Sequence, residues 1–144
     1  NMLTLYFYGT YLISLVGETS FFVVYFLGGI VGNLVFMLLA PPSASVVGAS
    51  GAIFAVGGAL AALRPQTKVY IFPIPAPIPL WISVLGSFLI LSFVPGVAWQ
   101  AHLGGLVLGA SALGWPQVAL AQRKPQEGKD YRALEKRAPV FKGR

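Results

Sequence analysis

Two polar side chains in an otherwise apolar sequence have the chemistry of a nucleophile and a general base. Ser50 stands in the run Gly48-Ala49-Ser50-Gly51, where its small neighbours leave the hydroxyl accessible, and His102 is the only histidine of the chain. A neutral imidazole can take the proton of a serine hydroxyl, so that the oxygen attacks a carbonyl carbon. The chain has no cysteine, which excludes a thiolate nucleophile and a disulfide framework.

Each of the two residues also has an ordinary structural interpretation. A serine in a membrane helix usually donates to a carbonyl one turn earlier, and a histidine can join two helices of a bundle by a hydrogen bond. For Ser50, the small residues Gly48 and Gly51 favour function, because a helix that begins there leaves backbone N–H groups free to support an oxyanion. For His102, the cost of an ionisable group at membrane depth favours function.

The composition is that of a membrane protein. Of the 144 residues, 56% are hydrophobic and 10% are charged, whereas an average soluble domain has about 25% charged residues. Residues 19–63 and 69–122 contain no Asp, Glu, Lys or Arg. Because one crossing of a bilayer takes about 20 residues, each of these stretches predicts more than one crossing.

Prolines, glycines and charges divide the sequence into five candidate transmembrane helices. These cover residues 1–16, 19–40, 46–63, 78–94 and 97–115. Proline ends or interrupts helices, and the alternating prolines from Pro73 to Pro79 predict a stiff, extended connector on the surface. We therefore predict an all-α polytopic membrane protein, with a transmembrane core over residues 1–116 and a basic polar tail over residues 117–144.

The charges predict the orientation of the helices. If the spans alternate in direction, the turn at Glu18, the loop from Arg64 to Lys68 and the tail lie on one side, and the loops at 41–45 and 95–96 carry no charge on the other. The positive-inside rule makes the charged side the inner one. Most of the basic residues behind the net charge of +6 are in the tail, so the charge indicates membrane orientation rather than nucleic-acid binding.

The same alternation places Asn1, Ser50 and His102 at similar depth near the outer surface, because each lies near the start of a span that runs inward. All the carboxylates belong to the inner side, and they are Glu18, Glu127, Asp130 and Glu135. This arrangement excludes a Ser-His-Asp triad within the chain and leaves a Ser-His dyad.

Small residues after the serine and after the histidine predict that their two helices approach closely. Gly105 and Gly109 follow His102 at a spacing of one helical turn, and Gly51, Ala55 and Ala59 do the same after Ser50. Small residues at this spacing allow two helix backbones to pack tightly in a membrane.

These motifs together resemble the rhomboid family of intramembrane serine proteases. The sequence GASGAIF from Gly48 to Phe54 resembles the family's Gly-x-Ser-Gly nucleophile motif at the start of its fourth helix. The sequence AHLGG at 101–105, with Gly109 beyond it, resembles the histidine motif of the sixth helix. The opening Asn1-Met2-Leu3 resembles the end of a His-x-x-x-Asn motif in the second helix. The resemblance implies family helices 2 to 6 in an amino-terminally incomplete chain that lacks the first helix.

The resemblance also implies a role for individual residues. Ser50 would attack the scissile carbonyl and His102 would take its proton. Phe54 would pack on the imidazole, and Asn1 would donate to the oxyanion together with the backbone N–H of Ser50. Ile13 stands where many members have a glutamate, which would remove a hydrogen bond between helices.

The predicted activity is hydrolysis of a peptide bond in or near the transmembrane helix of a membrane protein, through an acyl-enzyme and without a metal or an organic cofactor. The expected partners are transmembrane substrates and the lipid bilayer, not nucleic acid. The expected location is the plasma membrane of a prokaryote, with the tail in the cytoplasm. Two alternatives stay open: a pseudoprotease of the same fold that binds membrane helices without cutting them, and a small transporter or channel subunit in which His102 binds a proton or a substrate.

Overall fold

The computed structural model of the chain describes residues 1–45, 48–70 and 76–112. In these ranges the chain forms five helices and a two-stranded antiparallel sheet. The elements are α1 (Met2–Val16), α2 (Glu18–Leu39), α3 (Ser50–Leu63), β1 (Lys68–Val69), β2 (Ile78–Pro79), α4 (Leu80–Ser92) and α5 (Trp99–Ser111). The predicted tail and the predicted end of the last helix at residue 115 lie outside the described residues.

Three helices begin later than the sequence analysis predicted. Helix α3 begins at Ser50 instead of residue 46, and Gly48 before it has a φ of +138°, which L side chains rarely adopt. Helix α4 begins at Leu80 instead of residue 78, because strand β2 uses the two residues before it to pair with β1. Helix α5 begins at Trp99 instead of residue 97, since Ala98 has the non-helical ψ of 74°.

Helix α2 is the one helix in the described ranges that is both long and apolar enough to cross a membrane alone. Its 22 residues give a length of about 33 Å, close to the roughly 30 Å of a bilayer's hydrocarbon core. Helices α1, α3 and α4 are also apolar, but they have only 15, 14 and 13 residues. The number of crossings therefore stays a prediction.

Helix α3 occupies the centre of the bundle, where each of the other four helices contacts it. Nearly every residue from Gly51 to Leu60 is buried, and Val56 and Leu60 are completely so. A helix that is apolar on all sides suits a position surrounded by other helices. Its many glycines and alanines let those neighbours come close.

Helices α3 and α5 touch through their backbones. A Cβ atom added to Gly105 would fall on the carbonyl oxygen of Gly51, and one added to Gly109 would fall on that of Ala55. Only glycine allows this approach at the two positions. The contact fixes the distance between the helix that carries Ser50 and the one that carries the histidine.

Helix α2 joins this contact through a glycine pair that the sequence analysis did not single out. A Cβ atom on Gly32 would lie 2.7 Å from the carbonyl oxygen of Ala101, and one on Gly28 would meet the Cβ of Ala55. The two glycines are four residues apart, which is the small-residue spacing that indicates close helix packing. The signal was therefore present in the sequence.

Two hydroxyl pairs connect α1 to α4 and to the loop that precedes β1. The hydroxyl of Tyr8 lies 2.9 Å from Oγ of Ser83 in α4, and the hydroxyl of Tyr11 lies 3.1 Å from Oγ1 of Thr67. The backbone N–H of Leu80 donates to the carbonyl of Thr67 over 2.8 Å, so the start of α4 is tied to the same loop. These bonds link α1 and α4, both of which contact α3.

Candidate active site

The side chains of Ser50 and His102 meet at one end of the bundle. Oγ of Ser50 lies 2.8 Å from Nε2 of His102, within hydrogen-bonding distance. Ser50 is the first residue of α3 and His102 lies in the first turn of α5, so both occupy the start of their helix. The histidine is only 3% exposed, whereas the serine is partly exposed. A reactant can therefore approach the hydroxyl, while the imidazole is shielded.

An aromatic ring packs on the imidazole. Phe54 lies one turn after Ser50 on α3, and its ring centroid is 4.5 Å from that of His102, with an angle of 31° between the planes. Phe88 of α4 meets Phe54 edge to face at 6.1 Å. The ring of the histidine is thus positioned by α3 and, through Phe54, by α4.

Among the described residues, the second ring nitrogen of the histidine has no acid beside it. Nδ1 of His102 is buried and has no hydrogen-bond partner among the described residues. Glu18 is the one carboxylate in those ranges, and it lies at the start of α2, whereas the serine follows the end of that helix. Within the described residues, the arrangement is a serine-histidine pair held by packing.

The start of α3 offers backbone donors next to the hydroxyl. At the start of α3, the N–H of Ile53 donates to the carbonyl of Ala49 over 3.1 Å. The N–H groups of Ser50 and Gly51 precede it, and the first N–H groups of a helix have no partner within the helix. Gly51 also packs against α5, where an added Cβ atom would lie 3.0 Å from the carbonyl oxygen of Ala101.

A groove of about 980 Å³ opens beside the serine, between α1, α3 and α4. Asn1 is exposed and lines this groove together with Ser50 and Phe54. The lining residues, all within the described ranges, include no Asp, Glu, Lys, Arg or His. The predicted site residues at the amino end of the chain and at the start of α3 therefore share one largely apolar surface.

The sequence analysis did not single out the other walls of this groove. Tyr8 of α1, Gly57 of α3 and Val84 of α4 line it. Gly57 could have been found from its spacing, because it lies two helical turns after Ser50 and so shares a face with it. Tyr8 and Val84 reach the groove only through the packing of α1 and α4 around α3.

Comparisons with known proteins agree with the motifs and the helical fold. Residues 1–118 match the family model of the Rhomboid domain. The chain is 35% identical over 126 residues to "Rhomboid protein 1, mitochondrial" of Saccharomyces cerevisiae, and the alignment covers 80% of this chain and 36% of that protein. No solved structure gives a significant match. The chain belongs to the rhomboid family.

Family membership confirms the resemblance seen in the sequence and the prediction of a helical, integral membrane protein. The chain spans only about a third (36%) of the length of the yeast relative. That relative is a mitochondrial protein of a eukaryote, so the predicted location in a prokaryotic plasma membrane gains no support from it.

Proposed function

We propose that this chain is the core of an intramembrane serine protease in which Ser50 is the nucleophile and His102 is the general base. The observation that supports the proposal most directly is the 2.8 Å distance between Oγ of Ser50 and Nε2 of His102. Membership of the rhomboid family makes hydrolysis of a peptide bond the reaction to test first.

The reaction would begin with the hydroxyl of Ser50 donating its hydrogen bond to Nε2 of His102, with the ring proton on Nδ1. As Oγ attacks the carbonyl carbon, Nε2 takes the hydroxyl proton and the carbonyl oxygen becomes an oxyanion. The imidazolium then gives this proton to the leaving amine, and an acyl-enzyme forms on Ser50. A water molecule, deprotonated by the same nitrogen, releases the acid and restores the serine.

The oxyanion would be stabilised by donors at the start of α3. The N–H groups of Ser50 and Gly51 are the first two of α3, and Asn1 lines the same groove as Ser50. Fixed donors of this kind stabilise the charge that develops in the transition state. Gly48 would support these oxyanion donors, because its backbone, with a positive φ, forms the turn that leads into α3.

The substrate we propose is a transmembrane helix that unwinds next to the serine. A helical backbone is protected by its own hydrogen bonds, so its carbonyl reaches Ser50 only after local unwinding. We therefore expect small, helix-weakening residues at the cleaved bond, near the outer end of the substrate helix. The five helices would be family helices 2 to 6, with the charged loops and the tail on the inner side.

The test is labelling of the full-length protein in detergent with a fluorophosphonate probe. We expect labelling of the wild type and of Ser87→Ala, a control serine that also lines the groove. Labelling should disappear in Ser50→Ala and in His102→Ala. If a folded wild type is not labelled, the proposal fails and a pseudoprotease that only binds membrane helices becomes the better description.

A further inference from the structure

We infer that the segment between α3 and α4 binds the headgroup of an anionic phospholipid through Arg64 and Lys68, with the acyl chains lying along α4. Residues 64–70, which carry both cations, form the basic loop. Neither cation lines the groove beside the serine, and the inference does not depend on the proposed proteolytic activity.

A turn brings the two cations of the basic loop close to each other along the chain. The N–H of Thr67 donates to the carbonyl of Arg64 over 3.1 Å, and a bond of this spacing closes a tight turn. Lys68 follows at once and pairs with Pro79 in the two-stranded sheet. The backbone that carries both cations is therefore held in place by a hydrogen bond and by strand pairing.

The first turn of α4 is attached to the same loop. The N–H of Leu80 donates to the carbonyl of Thr67 over 2.8 Å. The N–H of Trp81 donates to the carbonyl of Pro65, the neighbour of Arg64, over 3.4 Å. The side chain of Trp81 is exposed, and tryptophan is enriched where membrane and water meet. The basic loop thus adjoins an aromatic residue that suits the membrane interface.

Among the described residues, both cations lack a carboxylate partner. Arg64 and Lys68 are exposed, and neither forms a salt bridge with Glu18, the one carboxylate of the described ranges. The guanidinium of Arg64 donates only to the carbonyl of Leu63 within those ranges, over 3.3 Å. Arginine has five N–H donors and can bind a phosphate with two of them at once, and lysine has three donors. A phosphate group is therefore the ligand that complements this pair.

An exposed apolar face of α4 favours a lipid over a soluble phosphate. Ile82, Leu85 and Leu89 are exposed, and their spacing of three and four residues places them on one side of the helix. None of the three lines the groove. Because the chain is an integral membrane protein, we expect the start of α4 to lie at the level of the headgroups. A lipid bound there can place its phosphate at the basic loop and its acyl chains on this face.

The two cations select an anionic lipid over a zwitterionic one. In phosphatidylcholine an ammonium group compensates the phosphate, whereas in phosphatidylglycerol the phosphate is the only charge. A basic residue near an anionic membrane surface contributes about fivefold in affinity. The pair should therefore contribute about 25-fold if the two contributions are independent.

The experiment titrates the full-length protein in a nonionic detergent with phosphatidylglycerol and counts the bound lipid by native mass spectrometry. The dissociation constant should rise about fivefold in Arg64→Gln and in Lys68→Gln, and about 25-fold in the double variant. Phosphatidylcholine with the same acyl chains should bind the wild type more weakly than phosphatidylglycerol does. An excess of inorganic phosphate should not displace the lipid.

Lys142→Gln is the matched control, because it removes one positive charge from the tail and leaves the basic loop intact. Its dissociation constant should equal that of the wild type. Ser50→Ala should also bind the lipid like the wild type, which separates this inference from the proposed protease. Equal unfolding temperatures in the absence of lipid show that the variants are folded.

Three results would overturn the inference: equal binding of the two lipids, unchanged affinity in the double variant, or an equal loss of affinity in Lys142→Gln. Displacement by inorganic phosphate would also overturn it, because the site would then be one for a soluble anion.

Discussion

The rings of Phe54 and His102 lie 4.5 Å apart, with an angle of 31° between their planes. Nδ1 of the histidine has no hydrogen-bond partner in the described part of the chain. Among the described residues, the orientation that brings Nε2 to the serine is therefore maintained by packing against Phe54 rather than by an acid. This relationship makes Phe54 a positioning residue in the proposed mechanism.

Replacing Phe54 by leucine should lower kcat about two- to tenfold and change KM much less, because an aromatic pair of this kind contributes about 0.5–1.5 kcal/mol. Phe54→Tyr keeps the ring and should restore most of the rate. Steady-state kinetics on a model transmembrane substrate measures both values. Phe88→Leu is the control, since Phe88 touches Phe54 at 6.1 Å, and its loss should be smaller. A Phe54→Tyr variant as slow as Phe54→Leu would contradict the positioning role.

Gly105→Ala should destabilise the protein by about 1–3 kcal/mol or more, the usual cost of forcing extra volume into a packed core. The added methyl group would meet the carbonyl oxygen of Gly51, so α3 and α5 must separate. Thermal unfolding in detergent measures the loss. Gly86→Ala serves as the control, because its methyl group meets nothing within 4 Å and alanine favours the helix. Equal melting temperatures for the two variants would refute the close contact.

The hydrogen bond between Tyr8 and Ser83 should appear as a coupling free energy of about 0.6 kcal/mol, and at most about 1.7 kcal/mol, as measured for such bonds in membrane bundles. The measurement is a double-mutant cycle of Tyr8→Phe and Ser83→Ala in equilibrium unfolding. The hydroxyls are 2.9 Å apart and Ser83 is 2% exposed. Strict additivity of the two substitutions would show that the pair does not form.

Membrane topology can be measured with single cysteines, because the chain has none of its own. Ser43→Cys and Pro95→Cys are expected to react with an impermeant maleimide from one side, and Gln66→Cys from the other. All three positions are exposed and lie between helices. Ser43 and Pro95 follow α2 and α4 at one end of the bundle, and Gln66 follows α3 at the other. The proposed alternation of spans requires that short helices such as α4 also cross the membrane. Reaction of all three cysteines from the same side would rule this alternation out.

The sequence by itself determined the class of protein and indicated the two residues of the proposed reaction. Long uncharged stretches predict membrane helices, because charged side chains are costly in the hydrocarbon core and their absence can be read directly from the sequence. Ser50 and His102 were found by similar local signals, a serine among small residues and a single histidine at membrane depth. The family comparison confirms the membership that these motifs indicated.

Tertiary structure decided how closely the residues approach each other. The 2.8 Å distance from Ser50 to His102 depends on the backbone contact at Gly105, and a hydropathy pattern does not specify which faces of two helices meet. Helix α3 starts at Ser50 because Gly48 before it has a positive φ and forms a turn. The pattern of apolar residues does not reveal this turn. Gly57 shares the groove with Tyr8 and Val84 only because α1 and α4 pack around α3, and spacing along one helix carries no information about its neighbours.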